Sequence, residues 1–312
     1  QLPGYRRIDD PAAREHVAQV WGVDAGSIPG PGVPAVELLR SLGTTSGPSL
    51  LLVHGANPAV SAPDLTAVQE RLRSLDPATL PPVAAEQRIG PPVARVGKIV
   101  CVGLNYADHA REAGMPIPAE PILFLKATSS IVGPDDDVVL PPDSMKGDWE
   151  VELGVVIGRA ARYVTPERAL DHVAGLCVIN DLSERSYQLE RGGQWDKGKG
   201  CDTFCPIGPW LVTLDEVPDL AALRLWCRVN GRTVQDGSTA TMIFGVADLV
   251  SYISHFMSLQ PGDVISTGTP PGVGMGMTPP QWLAEGDVIE LGIDGLGQQR
   301  QRVARYRAQD AR

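Results

Sequence analysis

From residue 99 onward the chain breaks into apolar runs long enough for strands and too short for buried helices. They lie at 99–102, 122–125, 150–157, 176–179, 223–229, 264–267 and 288–293. Two carry hairpin signals. Asn230-Gly231 separates 225–229 from 232–235, and Asp294-Gly295 follows 288–293 with a further strand candidate near 301–306. Helical stretches are fewer, at 107–113, 166–174, 183–189 and 246–259. Strands and helices do not alternate regularly. The expectation is therefore an α+β fold rich in strands, not a doubly wound parallel sheet.

A change of character precedes this half. The prolines at 81, 82, 91 and 92 mark 80–92 as a linker. Before it come helical patterns at 12–20, 36–42 and 64–75 and one apolar run at 50–53. We expect an N-terminal α/β region with its linker over 1–90 and a catalytic domain over 91–312. A chain of 312 residues is long enough for a large core and a smaller companion. The formal net charge of -10 disfavours nucleic acid and anionic membranes as partners. It leaves small anionic ligands open, because a bound cation can invert the field in a site. The five cysteines are odd in number and form no CxxC pair, which points to reduced thiols and a cytoplasmic setting. No apolar run approaches membrane-spanning length.

The segment Asp148-Trp149-Glu150-Val151-Glu152-Leu153 has strand composition. Side chains alternate along a strand, so Glu150 and Glu152 share a face roughly 6–7 Å apart at Cα, within reach of one ion. Carboxylates suit a hard cation such as Mg²⁺ or Mn²⁺. A solvated edge strand with two exposed glutamates is the competing reading. Asp181 ends the apolar run 176–179 and offers a third carboxylate, although Asp181-Leu182-Ser183-Glu184 also fits a capping box. His109 and Glu112 are spaced i, i+3 and share a helix face. A carboxylate on one imidazole nitrogen leaves the other to accept a proton, while an exposed polar helix face is the alternative. The glycine-rich loop 192–200 carries Lys197 and Lys199, suited to an oxyanion or to a mobile surface loop. Thr269 lies in a Gly/Pro turn after a strand, and its hydroxyl and neighbouring backbone suit a carboxylate.

In joint order these segments resemble the fumarylacetoacetate hydrolase family over about residues 90–306. The marks are Gly-Leu-Asn-Tyr-Ala-Asp-His at 103–109, Phe-Leu-Lys at 124–126, Glu-Val-Glu-Leu at 150–153, Asn-Asp-Leu-Ser-Glu-Arg at 180–185, the loop ending in Lys199, and Thr-Gly-Thr-Pro-Pro-Gly at 267–272. Within the family the chain resembles bacterial acylpyruvate and 2,4-diketo-3-deoxy acid hydrolases. The resemblance implies a mixed β-sandwich roll, a homodimer, and Mg²⁺ or Mn²⁺ held by Glu150, Glu152 and Asp181. It implies that His109 and Glu112 activate water on a lid, that Lys199 assists at the oxyanion, and that Lys126, Arg185, Gln188 and Thr269 surround the substrate. The reaction it implies is hydrolysis of a C–C bond in a small anionic 2-oxo acid. Decarboxylation or keto–enol isomerisation of such an acid is the alternative, and a non-catalytic relative that only binds is a further one. Leu51-Leu52-Val53-His54-Gly55 resembles a serine-hydrolase oxyanion turn, but no Gly-x-Ser-x-Gly elbow occurs.

Overall fold

The computed structural model describes Pro11–Trp21, Asp24, Ser74, Asp76, 87–112 and 114–308. The chain divides into two compact units, Gln1–Val53 with Ser61–Val83, and His54–Val60 with Ala84–Arg312. Of the first unit only the helix α1 (Pro11–Trp21) and a few single residues are described. The helical patterns at 36–42 and 64–75, the run at 50–53 and the His54-Gly55 turn lie outside the described residues, apart from single positions.

The second unit is built on two mixed sheets. Its elements in chain order are β1 (Ile99–Gly103), α2 (Ala107–Glu112), β2 (Ile122–Lys126), β3 (Ile131–Val132), β4 (Val138–Leu140), β5 (Gly147–Asp148), β6 (Val151–Ile157), α3 (Pro166–Ala169) and β7 (Val173–Asn180). They continue with β8 (Ser183–Glu184), α4 (Arg185–Leu189), α5 (Asp196–Lys199), β9 (Cys205–Val212), β10 (Arg224–Val229), β11 (Arg232–Ser238), α6 (Val246–Phe256), β12 (Val264–Ser266), β13 (Val288–Ile293) and β14 (Gly297–Arg305). One sheet has seven strands in the order β2-β1-β12-β6-β7-β9-β3, and the other five in the order β11-β10-β13-β14-β4. Both combine antiparallel pairs with parallel ones, β1 on β12 and β3 on β9 in the larger sheet and β4 on β14 in the smaller. This is the α+β class expected, with both anticipated hairpins formed, β10–β11 and β13–β14.

The seven-stranded sheet buries both faces, so its strands read as near-continuous apolar runs. One face packs into the main core. Val100 and Val102 of β1, Val151, Leu153 and Val155 of β6, and Val178 of β7 meet Leu225, Ile289 and Leu291 of the second sheet there. The other face carries a smaller cluster, with Cys101, Val156, Cys177, Ile179 and Val264. Period-two alternation therefore puts Glu152, two residues before Gly154 and four before Val156, on the face away from the main core.

Several boundaries differ from the sequence reading. The helix expected over 166–174 stops at Ala169 and passes through a short 3-10 turn, because Val173 already pairs with Ile157. The helix expected from 183 begins at Arg185. Ser183 and Glu184 pair first with β5, and Glu184 itself caps the helix by accepting from the Ser186 amide. The capping box at Asp181 does not form. Residues 196–199 of the glycine-rich loop are helical. Among the described residues no helix is long and apolar enough to cross a membrane.

Candidate active site

The strand register assembles the carboxylates. β6 and β7 run antiparallel with Val151 opposite Asn180, so the next residues out, Glu150 and Asp181, are neighbours at the sheet end. The Asp181 amide donates to the Glu150 carbonyl at 2.9 Å. Oxygens of Glu150, Glu152 and Asp181 lie within 4.8 Å of one another, and all three residues are buried. The edge-strand reading of the glutamates is thereby set aside.

So close a cluster requires compensation, and the surrounding residues supply it. Arg185, on the first turn of α4, donates to Asp148 at 2.8 Å, to Glu150 at 2.5 Å and to Gln188 at 3.0 Å. Lys199, at the end of α5, reaches Glu150 at 2.5 Å and Asp181 at 2.8 Å. Lys126, at the end of β2, donates to Asp181 at 2.6 Å and to the Leu182 carbonyl at 2.9 Å. Glu152 accepts from the Ser266 hydroxyl at 2.6 Å and the Gly268 amide at 2.9 Å. Asp148 also accepts from the Gly274 and Met275 amides at 2.6 and 3.1 Å.

These partners set the protonation states. Burial pushes the Glu150 carboxyl up, but Arg185 and Lys199 outweigh it and hold the group down at about 2. Glu152 goes the other way: burial and the neighbouring Asp181 and Glu150 carboxylates push it well above the usual range. Burial lowers the Lys199 ammonium, yet Asp181 and Glu150 more than offset this and keep it charged. The cluster thus holds four carboxyl groups, Asp148 included, against three cations. Its oxygen-only donor set and the strain on Glu152 fit a hard divalent cation.

The acid–base pair stands beside this floor. His109 Nδ1 lies 3.0 Å from Glu112 Oε2, and Glu112 Oε1 accepts from the Gly272 amide at 2.9 Å. His109 is buried and borders a cavity of about 220 Å³ whose floor is Glu150, Glu152, Arg185, Lys199 and Thr269. Asn105 fixes the entry to α2 by donating to the Phe244 and Thr267 carbonyls. Trp149 ties the 148–152 segment to the same loop through the Gly272 carbonyl at 3.1 Å.

Placed against expectation, Glu150, Glu152, His109, Arg185, Gln188, Lys199 and Thr269 converge on one cavity, with Asp181 and Glu112 directly behind it. Lys126, expected among the substrate contacts, does not border the cavity: its fully buried ammonium is spent on Asp181. Of the two loop lysines, Lys197 is exposed and donates to the Arg191 carbonyl, so Lys199 is the one in the site. Sequence reasoning gave no role to Asp148 or Ser266. Asp148 was findable, since the alternation that pairs 150 with 152 extends to 148. Ser266 was not, because its contact depends on β12 lying beside β6.

Comparison with known proteins agrees with this geometry. The family profile described as fumarylacetoacetate (FAA) hydrolase C-terminal matches residues 98–304. A Burkholderia multivorans protein carrying the name "Putative hydrolase" is 64% identical over 232 residues, covering 74% of this chain and 82% of its own. Among solved structures, a fumarylacetoacetate hydrolase from Exiguobacterium antarcticum is 41% identical with a TM-score of 0.68, covering 75% of this chain and 84% of that one. A 5-carboxymethyl-2-hydroxymuconate delta-isomerase from Mycobacterium smegmatis is 38% identical with a TM-score of 0.63, covering 70% and 83%.

Proposed function

The chain belongs to the fumarylacetoacetate hydrolase family, and from that premise we propose that it hydrolyses a C–C bond next to a carbonyl in a small 2-oxo acid of acylpyruvate type, with Mg²⁺ or Mn²⁺ on Glu150, Glu152 and Asp181. The observation that carries this reading is a buried three-carboxylate cluster, two of whose members, Glu150 and Glu152, border the same cavity as His109, the partner of Glu112. Such an ion would supply Lewis acidity and orientation to the carboxylate and keto oxygens of the substrate.

The protein's own residues do the rest. Glu112, held by the Gly272 amide, fixes the imidazole through Nδ1 and leaves Nε2 as the proton acceptor. His109 takes a proton from water, and the resulting hydroxide attacks the distal carbonyl carbon. The ammonium of Lys199 stabilises the oxyanion of the tetrahedral intermediate. When the C–C bond breaks, its electron pair passes to the pyruvate fragment as an enolate, and the imidazolium of His109 returns the proton to carbon. Arg185 keeps Glu150 oriented and ionised throughout. By the same resemblance we take the working form to be a cytoplasmic homodimer, which light scattering would test.

A second reading is favoured by the isomerase among the similar structures. There His109 would move a proton between substrate carbons and no water would be consumed. A product assay separates the two. Metal-stripped protein is incubated with an acylpyruvate panel and oxaloacetate, with and without Mg²⁺ or Mn²⁺. Metal-dependent release of pyruvate and a carboxylic acid is expected. Carbon dioxide from oxaloacetate alone, or isomerised acid with no cleavage, would replace the hydrolase reading.

A further inference from the structure

The cavity changes chemistry abruptly between its floor and its rim. Among the described residues, every charged side chain that borders it lies at the floor or beside it, and each is already engaged. The three nitrogens of Arg185 are divided among Asp148, Gln188 and Glu150. Lys199 is held by Glu150 and Asp181, and His109 by Glu112. Thr269 donates to the Val151 carbonyl and accepts from Gln235. Gln188 lines the cavity beside Arg185, from which its Oε1 accepts, and the rest of the wall among the described residues is apolar, with Leu104, Met115, Phe124, Leu189, Trp195 and Met275.

That wall is built, not incidental. The benzo edge of Trp195 abuts Gly103, where a Cβ would come 2.5 Å from Cζ3, so a larger residue there would displace the ring. The indole meets Phe124 edge to face at 5.4 Å, and the Lys199 ammonium sits 5.3 Å from the centre of the Phe124 ring. Phe124 therefore joins the charged floor to the apolar wall. The helix carrying this end of the loop is anchored to β2 by Asp196, which accepts from the Leu125 amide at 3.1 Å. At the rim, Met115 is 50% and Leu189 45% exposed, so two large apolar side chains flank the opening. The neighbouring cations do not turn inward: Lys197 donates to the Arg191 carbonyl and Arg191 stacks on Tyr187 at 4.1 Å.

We infer that this cavity selects 2-oxo acids whose distal end is apolar, alkyl or aryl, over those ending in a second carboxylate. The inference rests on the proposed 2-oxo acid site and adds the class of group bound beyond it. A distal carboxylate directed at Phe124, Leu104 and the benzo edge of Trp195 would lose water against apolar carbon and meet no uncommitted cation among the described residues, whereas a methyl or phenyl group would be desolvated favourably.

The test compares two acids with the same head and the same number of carbons, 2-oxoheptanoate and 2-oxoheptanedioate. Their affinities for the Mg²⁺- or Mn²⁺-loaded full chain are measured by titration calorimetry. The monoacid should bind tighter by about tenfold or more, the scale on which apolar pockets discriminate by small groups. Equal or tighter binding of the diacid overturns the inference and leaves the 2-oxo acid site standing. Binding of neither acid removes the 2-oxo acid reading and the inference with it. Met115→Arg, at a half-exposed rim position, should reduce the preference by strengthening the diacid. An unchanged ratio would overturn the assignment of the rim to the distal end.

Discussion

Replacing Arg185 with Met tests the electrostatic construction of the site at a single point. The methionine keeps most of the packed volume and removes the charge. It leaves Glu150 without its contact at 2.5 Å and Asp148 without its contact at 2.8 Å, both in buried surroundings. Glu150 stands at about 2 against an ordinary 4.5, a difference worth about 3 kcal/mol at 1.4 per unit, part of which belongs to Lys199. Breaking a buried ion pair from one side costs about 3–5 kcal/mol in general. The expected loss is therefore about 3 kcal/mol at pH 7 in metal-free protein, read from urea unfolding in the presence of a chelator. A depressed carboxyl contributes stability above its unfolded value and loses it as pH falls through the folded one. The advantage of the unmutated protein should hold at pH 5 and above and shrink between about 4.5 and 2. Saturating Mg²⁺ or Mn²⁺ should narrow the gap, because the ion would give Glu150 a replacement countercharge. A loss under about 1 kcal/mol would mean that the pair is screened as at a surface. A gap of undiminished size with metal bound would place the ion away from Glu150.

Three further substitutions separate the roles. Asp181→Ala should abolish metal binding and turnover together, measured by calorimetry and product assay; retained activity would sink the ligand assignment. His109→Ala should leave metal affinity intact and slow hydrolysis by roughly 10²–10⁴, the usual scale for loss of a general base; a parallel loss of metal binding would contradict it. Gly276→Ala would put a Cβ 2.7 Å from Glu112 Cδ, the end of a flexible side chain, so the fold should survive while the His109 contact is displaced. The expected result is a lower kcat at an unchanged melting temperature, and an unchanged kcat would show that Glu112 does not orient the imidazole.

What the sequence revealed follows from how locally each feature is determined. Glu150 and Glu152 were legible because strand alternation is fixed within three residues. That Asp181 joins them depends on β6 and β7 being antiparallel neighbours in one register, which no local pattern encodes. The family motifs supplied that information; the residue pattern alone left Asp181 between a ligand and a helix cap. β9 is absent from the sequence reading because Pro206, Gly208 and Pro209 interrupt its apolar pattern, yet it pairs with β7 through an irregular register and with β3 at its first residues. Proline is usually confined to strand edges and bulges, and here the ladder shifts where it occurs. Lys126 shows the opposite limit. The motif put it among the substrate contacts, whereas the fold spends its charge on Asp181.

The charge pattern also bears on how a chain with a net charge of -10 would accept the anionic substrate proposed for it. Four buried carboxyl groups face three cations, and the imbalance falls on Glu152, whose carboxyl is pushed up by burial and by its neighbours. Lysines alone would not turn this cluster into an anion site, because each is already committed to a carboxylate. A divalent ion changes the balance. With Glu152 ionised and the ion in place, the cluster would carry one positive charge in excess, enclosed by low-dielectric walls where that excess is felt most strongly. Substrate affinity should therefore depend on the metal far more steeply than the fold does. Chelation should abolish binding of a 2-oxo acid while the sheet register that gathers the carboxylates persists, because Arg185, Lys126 and Lys199 already hold them together.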